Sequence, residues 1–351
     1  MKHPGEILQE KLDASNMSRK ELAIRTNVSE KHIWTVITGE NGISISFARK
    51  LGYVFETPKY WMDLQTRYDA FQLKIQEDNS ISQDEIELLK PLNEILNYLI
   101  ECGYIQNNCS NASKVIQLRQ FLKISDLMQI PKITYNAAYR LQLTTNIKVN
   151  PYILFTWQRL CEKEAEKIAI SKSFDKSLLE SKINQIKAAM FKNICDGIKD
   201  IQEIFADCGI AFQVVKNFRG APVQGFIKKA SNGNLILCLT IRGKRADRFW
   251  FTLFHEIAHI LNEDYNNRFV DFDSTQDKTE QMADLYAQNT LIPPDKYHSF
   301  ILSTDCTSWK QIEDFANDIG VESFIVLGRL QKDEYLDWSQ YSDKVVLYDW
   351  A

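Results

Sequence analysis

Apolar residues recur at helical spacing through most of this chain and give way to strand spacing over one short stretch. Ile7, Leu8 and Leu12 predict an amphipathic helix over residues 5–14. Ser18 opens a second helix, with Glu21 three residues on in a capping-box arrangement and Leu22 and Ala23 turned inward. After Thr26-Asn27-Val28, Ser29 caps a third helix, residues 30–38, which stops at Gly39. Thr57-Pro58 starts another, since proline suits the first helical position. Residues 76–82 are polar and read as a linker. Ile86, Leu89, Leu92, Ile95 and Leu99 predict one helix over 84–103, followed by short helices at 115–122 and 126–130. Three more helices are expected around Trp157 and over 176–191 and 195–208.

The period then changes. Residues 211–215, 224–228 and 235–240 are β-rich and set apart by turn residues, predicting a three-stranded antiparallel sheet. Its edge strand is expected to hold an extended peptide, with 235–240 the strand nearest in sequence to the helix that follows. That helix, 249–261, carries an apolar stripe of Trp250, Leu253, Phe254, Ile257 and Leu261. A second, polar stripe, Arg248, Thr252, His255 and His259, runs along the same helix. Beyond Pro293-Pro294 the helical period returns over 309–319 and 325–330, and these segments read as a helical cap.

Composition narrows the classes. The chain has 351 residues, 44% hydrophobic and 25% charged, enough for two or three ordinary globular domains. A net charge of −4 announces no bulk affinity for nucleic acid, so any DNA contact is local. The seven cysteines (102, 109, 161, 195, 208, 238 and 306) contain no C-x-x-C pair and read as buried thiols of a reducing compartment. With no cleavable apolar leader and no run of the roughly 18–20 apolar residues that span a bilayer, a cytoplasmic protein without membrane contact is expected.

The chemistry concentrates in His255-Glu256-Ile257-Ala258-His259. Four-residue spacing puts both imidazoles on one helix face, one turn apart, where two neutral ring nitrogens grip one Zn²⁺. Glu256 is then placed to take a proton from a water at the metal. The bland alternative is a pair of core histidines hydrogen-bonded to neighbours, yet a polar stripe in so apolar a helix is costly unless something satisfies it. Glu280 supplies a third ligand if residues 278–291 are helical; Asp284 then shares its face and holds the outer N–H of a ligating histidine, while Ala283 permits close approach. Glu263, Asp264, Asp271 and Asp273 are competing carboxylates in the intervening loop. Arg329 and His298 are weighed as oxyanion partners, with a structural role the more ordinary one.

Residues 245–262 and the run EQMADLYAQNTLIP, beginning at Glu280, resemble the ImmA/IrrE family of zinc metallopeptidases, with Tyr286 where Phe is commoner. The likeness extends more weakly from about residue 157 to the C-terminus. It implies His255, His259 and Glu280 as zinc ligands, Glu256 as general base, and a repressor protein as substrate under stress. The N-terminal helix–turn–helix plan, with HPGEIL and ISISFARKLGYVFETPKYWMDLQ, resembles the phage-repressor class and the HigA antitoxin group. By that likeness Glu30, Lys31 and Thr35 face bases, His32 and Ser29 lie nearer phosphates, and Arg19 contacts the backbone of operator DNA, with the protein acting as a homodimer. Ten Lys and Arg against nine Asp and Glu leave this module a net charge of only +1.

The expected fold is therefore α+β. A helix-turn-helix domain (1–69) is followed by a helical middle region (70–150) and a zincin-like peptidase domain (151–351) with a small antiparallel sheet. Two functions lead: a DNA-binding regulator that carries a repressor-cleaving zinc endopeptidase, and a HigA-like antitoxin that binds a cognate toxin and represses its own operon around a non-catalytic zinc site. A third, a transcription factor whose metal site senses zinc, fits three ligands with an open position less well.

Overall fold

The computed structural model describes residues 1–133, 149–221, 223–230, 232–263 and 276–349. Asp264, Asp271 and Asp273, three of the competing carboxylates, lie outside the described residues. Two compact units emerge, one of residues 1–90 with 106–118, the other of residues 91–105 with 119–351.

The first unit begins with α1 (Pro4–Ala14), whose start is fixed by His3. The His3 ring accepts from the Gly5 N–H at 3.0 Å, and Glu6 reaches back to the His3 N–H at 2.9 Å, a reciprocal cap. Then come α2 (Arg19–Thr26), α3 (Glu30–Ile37), α4 (Ile45–Leu51) and α5 (Pro58–Asn79). Leu8, Leu12, Leu22, Ile33, Phe47 and Trp61 are fully buried between them. Gly5 lets α1 meet α3, since a Cβ there would fall 1.9 Å from the Val36 carbonyl oxygen. Ser18 caps α2 as expected, but Glu21 does not complete a box; its carboxylate pairs with Arg25 one turn on.

Two local expectations fail for identifiable reasons. The polar run 76–79 is not linker but the end of α5, because Gln, Glu, Asp and Asn after a long helix include no breaker. The single helix expected over 84–103 is two, α6 (Gln83–Leu88) and α7 (Asn93–Glu101). Pro91 disfavours helical backbone at the residue before it and cannot donate to the ladder. The apolar period continued across it and masked the break. α8 (Asn111–Leu122) follows.

In the second unit α9 (Pro151–Ala165), α10 (Lys176–Ala188) and α11 (Ile194–Asp207) precede strands β1 (Ile210–Val214), β2 (Gly225–Lys229) and β3 (Leu235–Leu239). The sheet is mixed, in the order β1-β3-β2: β2 pairs antiparallel with β3, and β1 pairs parallel with it. The antiparallel expectation holds only for the local β2–β3 hairpin. β3 reads Leu-Ile-Leu-Cys-Leu and is buried at every position, the mark of a central strand covered on both faces. It is therefore not an edge, and β2 is. α12 (Ala246–Leu261) packs Trp250, Phe254 and Ile257 into the core that holds Phe212, Ile227 and Leu237. Trp157 of α9 meets Phe226, which alternates with Ile227 and so points from the other sheet face. α13 (Gln276–Leu291), α14 (Pro294–Ser303), α15 (Trp309–Ile319) and α16 (Ser323–Lys332) complete the unit. All seven cysteines are free thiols, but only Cys161, Cys208 and Cys238 are buried as expected; Cys102, Cys109 and Cys306 are half-buried, and Cys195, in the first turn of α11, is exposed. Among the described residues no helix is long and apolar enough to cross a membrane.

Candidate metal centre

α12 is buried along most of its length because its sequence is apolar on nearly every side. The polar stripe is consequently buried toward its C-terminal end, where His259 is 1% exposed and the neighbouring Glu256 4%. α13 lies against that stripe, with Ala283 and Ala287 fully buried so that the two helices approach closely. The pairing brings Glu280 and Asp284 to the histidines.

His255 Nε2 lies 3.0 Å from His259 Nε2 and 3.1 Å from Glu280 Oε2, and His259 Nε2 is 3.5 Å from Glu280 Oε1. Two donors about 2.0–2.1 Å from one ion at a tetrahedral angle stand about 3.3 Å apart. The three separations thus outline one face of such a polyhedron. On the outer side of the ring, His255 Nδ1 is 2.8 Å from Asp284 Oδ1. A carboxylate only accepts, so Nδ1 carries the proton and the Nε2 lone pair points inward. Among the described residues, His255, His259 and Glu280 form the one cluster of this kind, and they fit a divalent metal. Glu263 ends α12 in a left-handed conformation (φ 58°), exposed, and is not part of the cluster.

Glu256 sits one position from the first histidine, and its side chain lies over Gly225, the first residue of β2. A Cβ at Gly225 would stand 2.1 Å from Glu256 Oε1. No motif marks this glycine, although a glycine inside a strand signals a close approach to the backbone.

Residues 221–330 match a peptidase family described as the IrrE N-terminal-like domain. Over 89 residues the chain is 34% identical to an uncharacterized HTH-type transcriptional regulator of Haemophilus influenzae, a stretch of 25% of this chain and 80% of that relative. The chain belongs with the HTH-type transcriptional regulators and carries an IrrE N-terminal-like domain at residues 221–330.

Elsewhere in the IrrE-like domain, Arg329 is already engaged. Its Nε binds Asp333 at 2.6 Å, its NH1 reaches Gln288 at 3.1 Å, and its guanidinium covers Tyr297. Burial, helped by the Asp333 carboxylate, pushes the Tyr297 phenol well above its usual pKa. His298 is exposed on α14. A cavity of about 320 Å³ opens farther along α12, beside Arg248, Phe251 and Thr252, where no motif in the sequence marks it.

In the helix-turn-helix unit, Glu30 and Lys31 are exposed at the start of α3. Ser29 spends its hydroxyl on the cap, accepting from the His32 N–H at 3.1 Å. The His32 ring packs edge-on against Phe47, and Thr35 is held by Asn41 at 2.9 Å. Arg19 covers the ring of Trp34 at 4.5 Å, and Trp34 is 47% exposed, an aromatic the sequence reading passed over.

Proposed function

We propose that the chain is a DNA-binding transcriptional regulator carrying a zinc-dependent endopeptidase, and that this peptidase removes a repressor protein in a stress response. The repressor is the chain's own helix-turn-helix unit or a separate protein. One observation carries the reading: His255 and His259 of α12 and Glu280 of α13 converge beside a sheet edge, next to the buried carboxylate of Glu256. Purely structural zinc sites take four protein ligands, whereas catalytic ones keep a position open.

Bound there, Zn²⁺ supplies a Lewis acid for the peptide carbonyl and a means of making water nucleophilic near neutral pH. Glu256 accepts the proton of the attacking water and delivers it to the leaving nitrogen. Asp284 keeps the His255 ring in the tautomer that faces its partners inward. The outer edge of β2 aligns an extended peptide by main-chain hydrogen bonds, with Gly225 bringing that edge against Glu256. At the other end of the chain, Glu30, Lys31 and the Arg19–Trp34 pair meet operator DNA, each copy of a homodimer taking one half-site.

The HigA-like antitoxin is the rival, and Glu256→Gln separates the two. An amide of the same shape leaves fold, metal and DNA binding intact but is no base at neutral pH. The peptidase reading expects metal content unchanged, cleavage of the repressor abolished and the operon shut under stress. Cells that derepress normally with Glu256→Gln in place, and stay protected from a toxin, would leave the antitoxin reading standing instead.

A further inference from the structure

The stripe that holds the metal centre continues beyond it. Along α12, Thr252 and Arg248 follow His255 on the same face; along α13, Gln288 and then Leu291 follow Glu280 and Asp284. The two helices run antiparallel, as His259 with Glu280 and His255 with Asp284 require. Where the stripes continue, with α16 alongside, lies the cavity of about 320 Å³. It begins about one helical turn, ~5.4 Å, from His255. Gln224, which leads into the edge strand β2, is part of its wall and approaches Thr252 at 3.3 Å. Metal centre and cavity therefore follow one another along the same helix faces, and Gln224 brings the start of β2 to the cavity wall.

Floor and rim differ in chemistry. Phe251, Leu291 and Ile325 make the floor apolar. The rim carries two cations, Arg248 and Lys332, with no carboxylate in ion-pair range among the described residues; both rest only on ring faces, of Trp338 (6.0 Å) and Phe251 (4.9 Å) respectively. Other charges at the cavity are answered: Arg329 by Asp333, and Asp247 by Arg245 at 2.9 and 3.0 Å. A volume near 300 Å³ is at the scale of small ligand pockets and admits one large side chain with room at its mouth. Apolar floor and uncompensated cationic rim together define an occupant that is apolar at one end and anionic at the other.

We propose that this cavity selects the peptide substrate, seating a large apolar side chain on its floor while an Asp or Glu two positions away meets Arg248 and Lys332. The proposal rests on the peptidase reading above. Alternate residues of an extended strand share a face, so an apolar residue and an acidic one at i and i+2 enter together. At about 3.3 Å per residue, the pair lies within about three residues of the bond cleaved.

The test uses the zinc-loaded full chain with Glu256→Gln, which leaves no turnover to confuse binding. The probes are N-acetyl-Gly-Phe-Gly-Glu-Gly-amide and the same peptide with Gln or Lys in place of Glu. Trp338, half exposed at the rim, reports occupancy by fluorescence, with Trp338→Phe as the blank. The Glu peptide is expected to bind about tenfold more tightly than the Gln peptide at low salt, the margin of a charge-assisted contact. Arg248→Glu with Lys332→Glu should transfer the preference to the Lys peptide. Both side chains are exposed, and unchanged metal content confirms that the double variant folds. Equal binding of the Glu and Gln peptides, or a preference unmoved by the double reversal, overturns the proposal. A wild-type cleavage profile on a mixed peptide library separates the remaining cases. Cleavage without acidic enrichment near the scissile bond overturns the subsite and leaves the peptidase standing. Glu-selective binding without any cleavage supports the selectivity of the cavity and overturns the peptidase reading alone.

Discussion

At position 225 a hydrogen in place of a methyl group decides where Glu256 can sit. The Cβ of an alanine would come 2.1 Å from Oε1, 2.4 Å from Cδ and 2.7 Å from Cγ, so the carboxylate must move. The three atoms nearest that methyl all belong to Glu256, and none to the histidines or Glu280. Gly225→Ala is therefore expected to leave metal content at the wild-type value while peptide cleavage falls about 100-fold, the order reached by a 1 Å misplacement of a reacting group. Elemental analysis alongside kcat/KM on one peptide checks both halves. Loss of metal together with activity would mean that β2 supports the ligands and not the base.

At the scale of the element, the cap on α1 ties the first unit to pH. The His3 ring acts as an acceptor for the Gly5 N–H, which only a neutral ring can do. Burial lowers its pKa, with the Glu6 and Asp69 carboxylates pulling the other way. The unfolded chain thus takes up the proton first as pH falls. The cap's stabilisation is complete above the ordinary histidine value of about 6.5 and is lost as pH drops from there through the lower folded value. Urea unfolding of the full chain should show the first unit weakening between pH 7.5 and 5. His3→Ala should cost about 1 kcal/mol at neutral pH, typical of a lost N-cap, and flatten that dependence. A slope unchanged by His3→Ala would move the titration to another group.

At the scale of the whole molecule, two units have separate cores. One is built on Leu8, Ile33 and Trp61, the other on Trp250, Phe254 and Leu237. The metal cluster belongs to α12 and α13 of the second. A ligand that binds only the folded state stabilises it by about 2.7 kcal/mol at a hundredfold excess over Kd. Chelation is accordingly expected to lower the unfolding transition of the second unit and to leave that of the first in place. Scanning calorimetry with and without a chelator, then with zinc restored, measures this. A single transition that shifts as one would show that the units unfold together.

What the sequence determined by itself was local. The i,i+4 spacing of His255 and His259, the same spacing of Glu280 and Asp284, and the serine caps of α2 and α3 all act within one turn of helix, so they could be read directly. The even apolarity of residues 235–239 was also in the sequence, and it describes a central strand; only the strand partners revealed it as one, since pairing joins residues far apart in the chain. The parallel placement of β1, the contact of Gly225 with Glu256 and the cavity that follows the metal centre along α12 and α13 are of the same kind. Each is made by two surfaces meeting, and neither surface alone specifies its neighbour. The helix spacing singled out the residues of the site; the packing of α12 against β2 and α13 decided how they face one another.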